Sequence, residues 1–169
     1  VDSLFAYGDY DESFLFGWSV GEVIRSFVDF YGLESSHVIA HFNEWTTGMG
    51  LLYCKHYLPE VATVFTTHAT SVGRSIATNN LPLYDYLDDY QGDRMARQLN
   101  MISKHSLEKT TAHQADCFTT VSEITARECA RLLERKPDVI TPNGFEPSFV
   151  KKGTAAVRAR TESRECLLR

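Results

Sequence analysis

The sequence predicts an α/β domain built on a mostly parallel sheet, and three observations predict it. Four short apolar runs, β-branched in part, lie near residues 38–42, 61–67, 116–121 and 138–141. The stretches between them have helical spacing and are long enough for the crossovers of a dozen or so residues that parallel strands require. Each run ends on polar residues, which is where ligands bind in such sheets.

Taken in order, residues 1–12 are polar and acidic and read as a lead-in loop. From Ser13 to Tyr31, the residues Phe16, Val20, Val23, Phe27 and Tyr31 recur at helical spacing, with Ser13 as N-cap and Gly32 as the stop. Val38-Ile39-Ala40-His41-Phe42 is the first buried strand. Thr46–Tyr57 reads as a helix ended by Pro59. Gly48 and Gly50 inside it each cost about 1 kcal/mol against alanine, which is tolerated where a second backbone approaches closely. Val61–Thr67 is the second strand, and Leu81–Tyr90, rich in Asp and Tyr, is irregular. Asp93–His113 reads as one long amphipathic helix with Met95, Leu99 and Ile102 on one side. Asp116–Val121 is the third strand. Ser122 caps a helix through Glu134 that buries Ala126, Cys129, Ala130 and Leu133. Asp138–Thr141 is a short fourth strand, and Pro142-Asn143-Gly144 a turn in which glycine supplies a positive φ. The segment from Thr154 to Arg169 is charged and helical. Parallel strands with right-handed crossovers and helices on both faces make a three-layer, Rossmann-like domain with its core at 13–150 and a charged tail at 151–169.

With 169 residues the chain has the size of one domain. Its net charge of −5 and pI of about 5.7 argue against a nucleic-acid partner, which is held by surplus Lys and Arg. Neutral carbohydrate or a small nucleotide fits that charge. No apolar run approaches the roughly 18 residues of a membrane span, and no signal-peptide pattern opens the chain. Cys54, Cys117, Cys129 and Cys166 form no C-x-x-C pair and read as reduced, buried, small hydrophobes, which points to the cytoplasm. The start at Val1 and the end inside a helical pattern suggest a piece of a longer protein.

The chemistry collects at the strand ends: His41-Phe42-Asn43-Glu44-Trp45, Thr66-Thr67-His68-Ala69-Thr70 followed by Gly73-Arg74, Thr119-Thr120-Val121-Ser122, and Thr141-Pro142-Asn143-Gly144. All four would open on one rim. A histidine directly after a buried strand can hydrogen-bond a sugar hydroxyl or simply its local backbone. Arg74, near the start of a helix, suits bidentate phosphate binding. Glu44 could accept from sugar hydroxyls or cap the following helix. Trp45 could stack on a sugar or join the core. Ser122 is first an N-cap. Asp9-Tyr10-Asp11 precedes the first strand, Asp85, Asp88 and Asp89 lack the spacing of a calcium loop, and His105 and His113 lack that of a zinc helix.

In order and spacing, "AHFNEW", "TVFTTHATSVGR", "CFTTVSEITARE" and "KPDVITPNG" resemble the glycogen synthases of animals and fungi, retaining glycosyltransferases of family 3, over roughly residues 14–145. The resemblance implies one half of a two-domain GT-B enzyme that moves glucose from a nucleotide-diphosphate glucose, UDP-glucose favoured, to the end of an α-1,4-glucan with retention. It implies no metal and no cofactor. Its partners would be donor and glucan, with a homo-oligomer open in the full-length enzyme. It places His68 at the donor glucose, Arg74 at the donor phosphates and Asn143 on the acceptor side, with Gly144 in the turn; Glu44 stays a candidate for acceptor sugar hydroxyls on its own chemistry. Asn43 stands where the family usually has histidine. The family's glycine-rich loop and E-x7-E motif fall outside this sequence. Another retaining transferase of the same build, or a non-catalytic glucan-binding homologue, remains open.

Overall fold

The computed structural model describes residues 8–33 and 37–167, the side chains of Asp9 and Phe149 aside. The elements run α1 (Asp9–Tyr31), β1 (Ile39–Asn43), a 3-10 turn at Trp45–Thr47, α2 (Gly48–Tyr57), β2 (Ala62–Thr67), α3 (Ser71–Thr78), a 3-10 turn at Leu87–Asp89, α4 (Gly92–Gln98), α5 (Ile102–Gln114), β3 (Cys117–Thr120), α6 (Glu123–Leu132), β4 (Val139–Ile140), a 3-10 turn at Pro147–Phe149, and α7 (Gly153–Leu167). The four strands form one sheet in the order β1-β2-β3-β4, parallel throughout. The expected Rossmann-like α/β arrangement, a parallel sheet flanked by helices, is what the chain forms.

Consecutive parallel neighbours force every crossover to step the same way. Right-handed crossovers that step one way lay their helices on one side of the sheet. The core agrees: Ala40, Phe42, Phe65 and Phe118 share a strand face by register and pack with Leu51 and Cys54 of α2, Ala112 of α5 and Cys129 of α6. Phe65 and Phe118 stack with ring centroids 5.6 Å apart. On the opposite face Ile39 is 68% and Val139 48% exposed. Those exposed residues lie on the two edge strands, while Thr66 and Thr119 of the inner strands are each only 6% exposed. That face carries a polar row instead, in which His41 Nε2 meets Thr66 Oγ1 at 2.7 Å and Thr66 Oγ1 meets Thr119 Oγ1 at 2.6 Å. His41, part of a strand expected to be buried, is exposed at the head of this row.

Several bounds differ from expectation, each for a local reason. The helix α1 starts at Asp9 with Gly8 before it, so residues 9–12 are helical rather than loop and Ser13 is not the cap; residues 1–7 lie outside the described residues. Tyr10 is buried, its ring 5.9 Å from that of Phe14, and this contact extends the helix backwards. Gly32 ends the helix as expected. It is left-handed at φ 61°, and Leu33 N–H donates to Val28 O at 3.0 Å. The long helix expected over 93–113 is two helices. Asn100 takes φ 54°, and Met101 N–H closes the turn on Ala96 O at 2.9 Å. Asparagine tolerates this conformation, and a helical repeat does not reveal it. The break lets α4 join a second cluster of Val72, Ile76, Leu83, Leu87, Met95 and Leu132, while α5 packs on the sheet. Gly50 serves close approach as expected, since a Cβ there would sit 2.9 Å from Gly17 O on α1. Ala130 is exposed, unlike its expected burial, and α7 buries no residue. All four cysteines are free, but Cys166 is exposed rather than buried. Among the described residues no helix is long and apolar enough to cross a membrane.

Candidate functional site

The carboxyl ends of β1, β2 and β3 meet on one edge, because the strands are parallel and in register at Asn43↔Thr66 and Thr67↔Thr120. β1 delivers Asn43 to that edge, and the chain then turns sharply through Glu44 at φ 64°, ψ 161°. This backbone region is essentially reserved for glycine and costs about 1–3 kcal/mol for other residues. Surrounding bonds impose it: Glu44 N–H donates to Thr66 O at 2.8 Å, and Glu44 O accepts from Thr47 N–H at 3.1 Å. The distorted turn aims the carboxylate sideways along the sheet edge. The cap role considered for Glu44 is not observed, as its side chain makes no capping bond to the following turn. Instead Oε1 accepts from His68 N–H at 2.9 Å and from Arg74 Nη2 at 3.2 Å. The Arg74 side chain is 58% exposed, so this ion pair is weak and easily exchanged for another anion.

His68 follows β2 directly and is half-buried, with ring Nε2 3.2 Å from Asn43 Oδ1. Four polar residues from two strand-end segments, those after β1 and β2, therefore converge: Asn43, Glu44, His68 and Arg74. Sequence reasoning named His68, Arg74 and Glu44 and left position 43 without a role; the structure puts Asn43 against the histidine ring. Asn143 lies on the same edge, two residues beyond Thr141, whose N–H donates to Thr120 O at 2.7 Å. It is exposed and shares no hydrogen bond with the cluster. The turn expected around Gly144 does not form. Gly144 is not among the positive-φ glycines, and residues 141–146 leave β4 with no turn. A Cβ on Gly144 would meet nothing within 4 Å, so this conformation makes no demand for glycine.

A cavity of about 300 Å³ beside the cluster is lined by Tyr10, Trp45, Ser71, Arg74, Ser75 and Lys104, among others. Trp45 forms part of its wall, with Lys104 Nζ 5.4 Å from the ring centroid. That cation covers the ring face on which a sugar would stack. Ser122 is the N-cap it was expected to be, accepting from Thr125 N–H at 3.1 Å.

Sequence reasoning missed two residues. Glu108 on α5 and Glu128 on α6 are 0% and 1% exposed, and both reach the turn that carries His68. Glu108 Oε2 accepts from Ser71 N–H at 2.7 Å and Oε1 from Thr67 Oγ1 at 3.0 Å. Glu128 Oε1 accepts from Thr70 N–H at 2.7 Å and Thr70 Oγ1 at 2.6 Å. A signal existed: each carboxylate falls on the buried stripe of its helix, beside Leu107 and Ala112 or Cys129 and Leu132. The amino end of α3 is thereby satisfied from inside the protein, so an anion bound at this edge would rely on the Arg74 guanidinium rather than on free helix N–H groups.

Burial pushes the Glu108 carboxyl up to about 7, against bonds from Ser71 and Thr67 that favour its ionised form. The folded chain thus holds this proton to about pH 7, whereas the unfolded chain releases it near 4.5. Folded protein binds more protons in that window, so Glu108 removes stability as pH rises through it, by at most ~1.4 kcal/mol per pH unit. His105, lowered by burial, acts in the opposite sense on the acid side of neutrality. Comparison with Glu108→Gln isolates the carboxyl. Between pH 5 and 8, urea midpoints should fall more, or rise less, in the wild type than in the variant. Parallel curves would show that Glu108 does not titrate in this range.

The glycogen synthase family model matches residues 7–158. The chain is 44% identical over 122 residues to the liver glycogen [starch] synthase of Mus musculus, covering 72% of this chain and 17% of that protein. It is 42% identical over 130 residues to glycogen [starch] synthase isoform 2 of Saccharomyces cerevisiae, covering 76% of this chain and again 17% of the relative. The match thus spans about a sixth of the length of these relatives. With the family model matched over most of its length and its strand-end residues gathered on one edge, the chain belongs to the glycogen synthase family.

Proposed function

We propose that this chain is the acceptor-side portion of a glycogen synthase of two-domain GT-B build. The complete cytoplasmic enzyme transfers glucose from a nucleotide-diphosphate glucose, UDP-glucose by preference, to the non-reducing end of an α-1,4-glucan with retention. The observation that carries this reading is the convergence of Asn43, Glu44, His68 and Arg74 on one sheet edge. His68, held from both its backbone and its ring, supports the transferring glucosyl group. Arg74, exposed and only loosely paired, moves from Glu44 to the donor diphosphate. That exchange frees Glu44 Oε1 to accept from a sugar hydroxyl, and Asn143 borders the acceptor on the same edge. The protein's contribution is positioning and electrostatic support rather than covalent chemistry.

Catalysis in this reading needs both walls of a cleft, and a misplaced group costs on the order of 100-fold. The isolated chain, incubated with glycogen and labelled UDP-glucose or ADP-glucose, should therefore incorporate no glucose. The complete polypeptide carrying this segment should incorporate it, and faster from UDP-glucose. Turnover by the isolated chain near that of the complete enzyme would refute the half-site reading. No transfer by the complete polypeptide from either donor would refute the function.

A further inference from the structure

We propose that Glu108 and Glu128 are positioning residues for the transfer: two buried carboxylates, from α5 and α6, that clamp the Thr67–Ser71 turn and fix the place of His68. The inference rests on the transfer reading above and deepens it. The turn is gripped residue by residue. Glu108 binds its two ends, Thr67 Oγ1 at 3.0 Å and Ser71 N–H at 2.7 Å. Glu128 binds Thr70 through both N–H and Oγ1, at 2.7 and 2.6 Å. Glu44 holds His68 N–H between them at 2.9 Å. Thr67 Oγ1 also lies 3.1 Å from Ala69 O, and Thr125 Oγ1 donates to His68 O at 3.4 Å. The backbone on either side of the histidine is therefore held by side chains from elements distant in sequence.

Core stability alone does not account for two carboxylates here. Burying a charged or ionisable group is unfavourable, and apolar side chains of similar size pack at least as well. What carboxylates supply is multiple, directional acceptors for a turn whose N–H groups no strand or helix partner satisfies. Glycine at position 73 belongs to the same device, since a Cβ there would collide with Glu128 Oε1. Tyr84, 56% exposed, donates to Glu128 Oε2 at 3.1 Å and steadies the carboxylate from the far side. A displacement of about 1 Å in the turn would carry the His68 ring off Asn43 and away from a reacting carbon.

The test uses the complete polypeptide, with Glu108→Gln and Glu128→Gln made singly in wild-type and His68→Ala backgrounds. Each should lower kcat on the order of 10-fold or more while leaving KM for glucan unchanged. In the His68→Ala background neither should lower kcat further, because the clamp acts through the histidine. Equal fractional losses in both backgrounds would overturn the proposal, since a purely structural role multiplies through. The NMR resonance of the His68 ring Cε1–H supplies a readout that needs no turnover. It should shift in each glutamine variant, and an unmoved resonance would overturn the clamp. If His68→Ala itself retains wild-type kcat, the catalytic reading of His68 fails, and the resonance alone decides whether the clamp holds the turn. Should the glutamine variants not fold, Tyr84→Phe loosens Glu128 from an exposed position. It should move the resonance in the same way, and no movement would overturn the proposal.

Discussion

Replacing His68 by alanine in the complete enzyme should lower kcat on the order of 100-fold, ~3 kcal/mol, with a much smaller change in KM for the donor. The size follows from removing one positioned hydrogen bond near developing charge. The split follows from the role proposed for His68, a contact that strengthens in the transition state. The structure sharpens the control. His68 is bound through its backbone N–H to Glu44 and through its ring only to Asn43. Alanine keeps the backbone bond and loses one partly exposed side-chain bond, so the melting temperature should barely move. Arg74→Ala should behave differently and raise donor KM, because the phosphate binding proposed for it precedes chemistry. Melting curves and initial rates on the same preparations make the comparison. An unchanged kcat in well-folded His68→Ala enzyme would remove His68 from catalysis.

Replacing Gly92 by alanine should destabilise the chain by about 3 kcal/mol, a fall of roughly 10 °C in Tm. Gly92 opens α4 against the end of α6, and a Cβ there would fall inside the Leu132 carbonyl oxygen. The obstacle is backbone, so no rotamer relieves it; either α4 or α6 must move. The His105 ring edge, 3.0 Å from the same point, closes the other way out. Gly144→Ala is the companion measurement. Nothing lies within 4 Å of its added methyl, and its φ is not positive, so its Tm should stay within the range of a neutral surface change, about ±0.5 kcal/mol. Thermal unfolding of both variants tests the pair. A Gly92→Ala chain as stable as the wild type would show that the α4–α6 contact is not rigid.

These two glycines show where sequence reasoning reaches. Gly144 sits in a Pro-Asn-Gly string that favours a turn, yet the chain passes through it without one. Gly92 belongs to no glycine motif in the sequence, yet another backbone occupies the space its side chain would need. Turn propensity is local and was read from neighbours in sequence; the close approach joins residues forty apart and leaves no local mark. Asn100 is an intermediate case. Asparagine is compatible with the left-handed backbone that breaks 93–113 into two helices. The apolar repeat of Met95, Leu99 and Ile102 nonetheless runs through the break, and periodicity alone favours one continuous helix.

The alternation of strand and helix, the four strand positions to within a residue or two, and the polar residues at each strand's carboxyl end are all legible along the chain. Those properties reside in period, β-branching and sequential order, which one chain displays without its neighbours. The sequence also carries the family resemblance, in strings that surround the same strand ends. It took the folded chain to show that Glu44 holds His68 and Arg74 instead of capping a helix, that Asn43 meets the histidine ring, and that Glu108 and Glu128 grip the turn from behind. Each of those contacts joins residues 24 to 58 positions apart. A hydrogen bond forms only between groups brought within about 3 Å, and no local spacing rule says which distant side chain the fold will deliver there.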